Sequence, residues 1–169
     1  RMGGWTAMAS TGGLASVWQA DPAAAGEVPR IALPEGPLPQ ETDPAFLTIT
    51  QARRLLQAGE VSAVELVEAC LERIRRFDPL LKAFNTVTEE EALQWARGVD
   101  AAPATAGSSP LAGVPLAMKD NFFTAGVPTT ANSHIFADFV PRFDAEAWRR
   151  LRAAGAGLLA PACMRGRGL

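Results

Sequence analysis

Residues 111–133 read LAGVPLAMKDNFFTAGVPTTANS, and this stretch decides how the fold is interpreted. Residues 114–118 are apolar and predict a short buried strand. Lys119 follows this strand directly and precedes a turn at Asp120 and Asn121. A lysine that emerges from a buried strand loses hydration, which favours the neutral amine, and a neutral amine can act as a general base. A structural lysine that pairs with Asp120 or caps a helix is the alternative that these residues leave open.

Two helices are predicted on the N-terminal side of this stretch. Thr48 or Thr50 caps a short helix that stops at Gly59, where a glycine can adopt the left-handed conformation. A capping box at residues 62–65 begins a longer helix with apolar residues at helical spacing. The Asp-Pro pair at residues 78–79 is expected to end that helix.

The remaining elements alternate between strand and helix. Residues 83–87 predict a short strand, and a second capping box at residues 88–91 begins a further helix. Asp144 is expected to cap the last helix, which Gly155 stops. That helix has an apolar face formed by Ala147, Leu151 and Ala154. Residues 156–160 predict a second buried strand, and the alternation favours an α/β sheet.

The N-terminal part differs from the rest in composition. Residues 2–20 carry no charge and lead to a run of small residues, so we interpret residues 1–25 as a truncated signal segment of the twin-arginine type. A flexible start or a misplaced coding start is the alternative, and the protein would then be cytoplasmic. Six prolines fall between residues 21 and 44, so residues 26–45 are expected to form a proline-rich linker or strap.

Composition excludes several classes of protein. The 169 residues are 48% hydrophobic and 20% charged, which argues against a collagenous or highly charged disordered chain. A net charge of −2 provides no electrostatic footprint for nucleic acid, and no apolar run is long enough for a membrane span. Cys70, Cys163 and the single histidine, His134, argue against a disulfide scaffold or a structural zinc site. We therefore expect no metal, no cofactor, no nucleic acid partner and no membrane partner.

The motif around Lys119 resembles the amidase signature family. The pattern Gly-Val-Pro-x-x-x-Lys-Asp followed by Gly-Val-Pro-Thr-Thr carries the resemblance. The segments SAVELVEACLERI (residues 62–74) and FDAEAWRRLRAAGAGLL (residues 143–159) extend it over residues 46–160. The resemblance implies an α/β fold, of which this chain holds the N-terminal helices and the first strands of a mixed sheet. The fold would be incomplete in this chain.

The resemblance also implies a mechanism. Members of this family are Ser–cis-Ser–Lys hydrolases that cleave carboxamide C–N bonds through an acyl-enzyme intermediate, and Lys119 matches the catalytic lysine. Such a triad needs no histidine, so His134 is expected to be a local loop residue. The implied partner of the full-length protein is a small-molecule amide, and the oligomeric state is unknown. A relative of the glutamine-hydrolysing A subunit of tRNA-dependent amidotransferase is the alternative.

The serines of the family are the part that this sequence does not match. The Gly/Ser-rich segment that carries them would follow residue 160, but residues 161–169 read PACMRGRGL, which is unlike the family. Ser108, Ser109 and Ser133 do not match the signature, and Cys163 lacks surroundings that would activate a thiol.

We therefore hypothesise that residues 46–160 are the N-terminal part of an amidase domain and residues 161–169 a non-family tail. The chain would then be truncated or frameshifted before the nucleophile and inactive alone, that is, a non-catalytic fragment. In such a fragment the predicted strands lack neighbours and expose apolar faces, so poor solubility or a molten state is expected.

Overall fold

The computed structural model describes Gly36, Glu41 and residues 43–101 and 109–162. The predicted signal segment, the loop at 102–108 and residues 163–169 lie outside the described residues. The described helices and strands are, in chain order, a short 3-10 helix (Pro44–Phe46), α1 (Ile49–Ala58), α2 (Ala63–Leu81), α3 (Glu89–Ala101), β1 (Pro115–Lys119), a second 3-10 helix (His134–Phe136), α4 (Glu146–Ala153) and β2 (Gly157–Ala162).

Capping residues begin the first two helices as predicted. Thr48 caps α1: its hydroxyl accepts from Gln51 N at 3.3 Å, and the Gln51 side chain accepts from Thr48 N at 2.8 Å. Gly59 follows α1 with a φ of 72°, a conformation that glycine adopts without steric cost. Ser62 and Glu65 form the same reciprocal pair at the start of α2. Both boxes satisfy amides that a helix N-terminus leaves without an intrahelical acceptor.

The predicted end of α2 at the Asp-Pro pair is wrong, because α2 continues through Pro79 to Leu81. A proline inside a helix removes one amide donor, but main-chain and side-chain contacts of Asp78 stabilise the last turn of α2. Lys82 adopts a left-handed conformation with a φ of 49°, and its N–H donates to Asp78 O at 2.7 Å. The Asp78 carboxylate also accepts from Ala83 N at 2.6 Å, which fixes the exit of the chain from the helix.

The strand predicted for residues 83–87 is wrong as well. This segment pairs with β2 only at isolated points: an antiparallel bridge joins Phe84 to Ala162, and Asn85 N donates to Pro161 O at 3.2 Å. Thr88 then donates its N–H to Leu159 O at 3.1 Å before α3 begins. The segment therefore crosses the end of β2 in an extended form without building a continuous ladder.

The two predicted strands form a parallel pair. β1 aligns with β2 from Pro115 opposite Gly157 to Lys119 opposite Ala162, with an irregularity between Leu116 and Ala117. The strands begin within a residue of their predicted starts. β1 is less buried than predicted, because among the described residues it pairs with β2 alone. The observed architecture, helices with a small parallel sheet, agrees with the predicted α/β class.

The cap and the inward face predicted for α4 need correction. α4 follows Ala145, whose side chain makes no capping bond, while the Asp144 carboxylate accepts from Ala125 N at 2.8 Å and pairs with Arg152 at 2.8 Å. Of the predicted apolar face, Ala147 is exposed, whereas Leu151 is half-buried and Ala154 is buried. Trp148, which was not predicted to face inward, is 4% exposed, since the indole removes more apolar area from water than a methyl group.

The core lies where α2, α3 and β2 meet. Its buried members are Ala63, Val67, Leu71, Ala92, Ala96 and Leu159. Small residues let these elements approach closely, since a Cβ added to Gly157 would overlap the Trp95 ring. Among the described helices, none combines the length and apolar character that crossing a bilayer requires.

Candidate active site

Lys119 lies at the end of β1, at the edge where the carboxyl ends of both parallel strands meet. Ligands of open α/β sheets bind at this kind of edge. The predicted position of Lys119 is therefore found, but its predicted burial is not, because the side chain is exposed in the described structure. Within residues 43–101 and 109–162, Lys119 takes part in no ion pair.

The adjacent carboxylate does not pair with this lysine, so the alternative of a Lys119–Asp120 pair is wrong. Asp120 follows the last residue of β1 and is 3% exposed, whereas the Lys119 side chain is exposed. The Asp120 carboxylate accepts from Thr130 N at 2.9 Å, from the Thr130 hydroxyl and from the Asn85 side-chain amide. Three donors therefore satisfy a carboxylate that burial alone would destabilise.

The main chain of Asp120 is held on both sides. Its N–H donates to Ala162 O at 2.9 Å, and its carbonyl accepts from Ala131 N at 2.8 Å. Ala131 and Asn132 have φ values of 48° and 59°, so the chain turns back here in a left-handed conformation. The two threonines of the Gly-Val-Pro-Thr-Thr motif thus precede a tight turn that returns to the residue after Lys119.

Asn85 joins this network from outside the motif, and sequence analysis did not identify it. Its side-chain nitrogen donates to Asp120 Oδ2, to Asn132 Oδ1 at 2.9 Å and to Thr130 Oγ1 at 3.2 Å. The only sequence signal was its place between the predicted end of one helix and the capping box of the next. That signal is shared by many loop residues and does not indicate a contact with the motif.

Aromatic residues pack within the loop that follows the motif lysine. The Phe123 ring lies 5.3 Å from that of Phe139 and 5.4 Å from that of Phe143, in tilted and edge-to-face geometries that such pairs prefer. The main chain adds Gly126 N to Pro141 O at 3.0 Å. Several apolar side chains of this loop remain exposed, with Ile135 at 87% the most exposed of them.

A buried arginine supports the turn that enters β1. Arg53 is 3% exposed and donates to Ala112 O at 2.6 Å; burial lowers the pKa of its guanidinium. The next residue, Gly113, has a φ of 79°, and a Cβ there would lie 2.9 Å from the Leu56 side chain. The glycine of the first Gly-Val-Pro is therefore required by its conformation, while the Leu56 side chain could move to accept a Cβ.

The other candidate residues lie apart from this chemistry. His134 begins the exposed second 3-10 helix, where Ser133 caps Ile135 N at 3.3 Å, as expected for a local loop residue. Burial raises the pKa of the Cys70 thiol, assisted by Asp43, which disfavours a reactive thiolate. Cys163 and Ser108 lie outside the described residues, and those residues contain no cluster of His, Cys, Asp and Glu that could hold a metal.

Comparison with known families shows which family contains this sequence. The sequence model of the amidase family matches residues 65–166, which is more than half of the chain. The chain belongs to the amidase family. The match extends past residue 160 into the segment interpreted as a non-family tail, so that boundary stays a prediction.

Curated relatives of this amidase-family chain include components of a larger enzyme. The present chain is 46% identical over 119 residues to the A subunit of glutamyl-tRNA(Gln) amidotransferase from Chloroflexus aurantiacus. The match covers 70% of this chain and 24% of that protein. It is 50% identical over 109 residues to the corresponding protein of Azotobacter vinelandii, covering 64% of this chain and 23% of that protein. The chain thus spans about a quarter of the length of the curated relatives it matches.

Solved structures share the fold of this part of the family. The native peptide amidase of Stenotrophomonas maltophilia superposes with a TM-score of 0.62 at 35% identity, covering 75% of this chain and 26% of that enzyme. The helices and the two-stranded parallel sheet therefore form a part of the amidase signature fold, as the motif predicted.

Proposed function

We propose that this chain supplies the lysine base of a carboxamide hydrolase, with Lys119 as the catalytic residue. The observation that carries the proposal is the placement of Lys119: its side chain is exposed at the carboxyl edge of the sheet, while the main chain beside it is held by a buried, fully hydrogen-bonded Asp120. An amine on a fixed backbone with no ion-pair partner among the described residues is accessible to a substrate or a second catalytic group.

The proposed chemistry follows the Ser–cis-Ser–Lys scheme of the family. The Lys119 amine takes a proton from the cis-serine hydroxyl, which in turn takes the proton of the nucleophilic serine as that oxygen attacks the amide carbonyl. The proton then passes to the leaving amine, and water releases the acyl group. Ser133 is the only serine after Lys119 and it caps the second 3-10 helix, so the proposal places both catalytic serines outside these 169 residues.

A second candidate is the glutamine-hydrolysing reaction of an amidotransferase A subunit. The identity of 46% to such a protein over 119 residues favours it. The lysine chemistry would be the same, but ammonia release would depend on partner proteins and tRNA. The small-amide hydrolase and the amidotransferase component therefore differ in substrate and partners and not in the role of Lys119.

A chimera tests the role of Lys119. Residues 43–162 would replace the matching quarter of the Stenotrophomonas maltophilia peptide amidase, and hydrolysis of an amide substrate would be measured. General acid–base catalysis contributes about 10²- to 10⁴-fold, so Lys119→Gln should lower kcat by a factor in that range. Lys119→Arg should be equally impaired, because a guanidinium keeps its charge and cannot serve as a base.

The chain offers one matched control, since Lys82 is its only other lysine. Lys82→Gln should leave kcat within about twofold, because Lys82 is an exposed residue at the end of α2 and lies outside the lysine motif. Full activity in Lys119→Gln would refute the proposal. The unaltered 169-residue chain should show no labelling by a fluorophosphonate, and labelling of Ser133 would refute the placement of the serines.

A further inference from the structure

Asn85 makes three contacts that hold together the residues around the motif lysine. Its side-chain nitrogen donates to Asp120 Oδ2, and the distances to Asn132 Oδ1 and Thr130 Oγ1 are 2.9 Å and 3.2 Å. Its own main-chain N–H donates to Pro161 O on β2 at 3.2 Å. Among the described side chains, it is the only one from outside residues 115–162 that donates to Asp120.

The chemistry of the contact requires an amide in this orientation. An ionised carboxylate accepts hydrogen bonds and donates none, so the Asn85 side chain must present its nitrogen to Asp120. The reverse orientation would place the Asn85 carbonyl oxygen against the carboxylate. The Thr130 hydroxyl fits the same arrangement, since it donates to Asp120 and accepts from Asn85. An aspartate, which has the same shape as asparagine, would supply repulsion in place of a donor.

Asn85 influences the position of Lys119 through its contact with Asp120. The Asp120 main chain is tied to Ala162 O on β2 and to Ala131 N in the tight turn, so the position of this residue sets the peptide that links it to Lys119. Because the Asp120 side chain is buried while the Lys119 side chain is exposed, Asn85 can hold this peptide without touching the amine. A deletion of Asn85 would leave Asp120 buried with Thr130 as the only residue that donates to its carboxylate.

We infer that Asn85 is a positioning residue for Lys119, which it aligns through the carboxylate of Asp120. The inference rests on the proposed function of Lys119. It assigns a role to a segment that precedes the motif, where Asn85 joins the crossing between α2 and α3 to the carboxyl edge of the sheet. The orientation of the base would then depend on packing between two parts of the chain that are distant in sequence.

Amide hydrogen exchange in the 169-residue chain tests the holding contact. In Asn85→Asp, exchange of the Thr130 amide, which donates to the Asp120 carboxylate, should be at least about 10-fold faster, because hydrogen bonds to charged groups are the stronger ones. The Ala131 amide donates to the main-chain carbonyl of Asp120 and should also exchange faster, because the displaced carboxylate moves that carbonyl. Asn121→Asp is the matched control: it adds the same charge on an exposed residue next to Asp120 and should leave these two rates unchanged.

The Ala96 amide in the core reports whether a variant has simply unfolded. If Asn85→Asp accelerates Ala96 as well, Asn85→Ala takes its place, since it removes the donor without adding a charge. Equal Thr130 and Ala131 rates in the deciding Asn85 variant and in Asn121→Asp would overturn the inference. Faster exchange confined to those two amides would support it.

The chimera separates positioning from a purely structural role. Asn85→Ala should lower kcat about 10-fold or more with KM unchanged, because a displaced base affects the chemical step and not substrate binding. Asn121→Ala should leave both constants unchanged. If Lys119→Gln abolishes activity while Asn85→Ala leaves kcat unchanged, the positioning role is wrong and the proposed function stands. If Lys119→Gln keeps full activity, both are wrong.

Discussion

The helical layer formed by α2 and α3 and the motif loop of residues 120–143 are held together by different forces. In the helical layer, Val67, Leu71 and Ala96 are fully buried and pack against Leu159 of β2. In the motif loop, hydrogen bonds to the buried Asp120 are joined by ring contacts of Phe123 with Phe139 and Phe143. Ile135 and Phe143 nevertheless remain 87% and 57% exposed.

Because of this difference, the two regions should contribute different properties to the protein. Burial of apolar area is non-directional and tolerates small displacements, so it stabilises the helical layer without specifying exact positions. Hydrogen bonds are directional, and the loop uses them around the residue that follows Lys119. The helical layer should therefore carry most of the free energy of unfolding, and the motif loop should carry the alignment of the proposed base.

The largest expected effect comes from truncating the core of the helical layer. Leu71→Ala removes a side chain with 0% exposure and should lower the free energy of unfolding by roughly 2–5 kcal/mol. Phe143→Ala in the motif loop removes a ring that is 57% exposed and should cost about 1 kcal/mol or less. Urea denaturation followed by circular dichroism measures both changes in the free energy of unfolding. Equal losses would contradict the expectation that the helical layer carries most of the stability.

The next effect concerns the buried carboxylate of the loop. Asp120→Asn places an amide nitrogen among three donors and should cost about 1–3 kcal/mol, as expected for a broken charged hydrogen bond in a buried position. Limited proteolysis within residues 120–143 should be faster, whereas cleavage in α2 should not change. Asp138→Asn, on an exposed residue of the same loop, is the control and should behave like the unaltered chain.

Helix caps contribute less to stability than the core does, and their contribution should differ between the two regions. Ser62→Ala removes the capping box of the 19-residue α2 and should cost about 1 kcal/mol. Ser133→Ala removes a 3.3 Å cap from an exposed three-residue helix and should cost about a few tenths of that. The thermal midpoints of the two variants show which substitution costs more stability. A larger decrease for Ser133→Ala would contradict the expectation that the helical layer carries most of the stability.

The smallest effect is electrostatic and lies at the start of α4. Hydrogen bonds from Arg149 and Arg150 lower the pKa of Glu146 from 4.5 to about 2. A lowered carboxyl pKa stabilises the folded state above the unfolded value, and this contribution is lost as the pH falls towards 2. An NMR titration of the Glu146 carboxyl should show the low pKa, and about 1 M salt should raise it because exposed charges are screened. A salt-independent value would argue against a surface ion pair.

Local patterns predicted the starts of α1 and α2 and the strands β1 and β2 well. The reciprocal caps at Thr48 and Ser62 involve residues three apart, so the sequence contains the whole interaction. The two strands and the position of Lys119 followed from an apolar run and a turn signal. These features depend on near neighbours in the chain, which is why they could be predicted.

Distant contacts account for the errors at Asp144 and Lys119, whereas the error at Pro79 has a local cause. Asp144 was expected to cap α4, but its carboxylate bonds to Ala125 N and to Arg152. The sequence does not show whether a carboxylate already has partners elsewhere in the fold. Pro79 was expected to end α2, but the helix continues and Lys82 closes it in a left-handed conformation. The burial of Lys119 was expected from its strand, whereas exposure depends on how many strands lie beside β1.

The family, the capped starts of α1 and α2 and the lysine at the end of a strand could be predicted because each depends on residues that lie close together along the chain. The burial of Asp120 and its hydrogen bond from Asn85 depend on contacts between residues that are distant in sequence, so they appear only in the folded chain. A buried carboxylate needs donors from wherever the fold brings them, and the fold brings one of them from the crossing between α2 and α3.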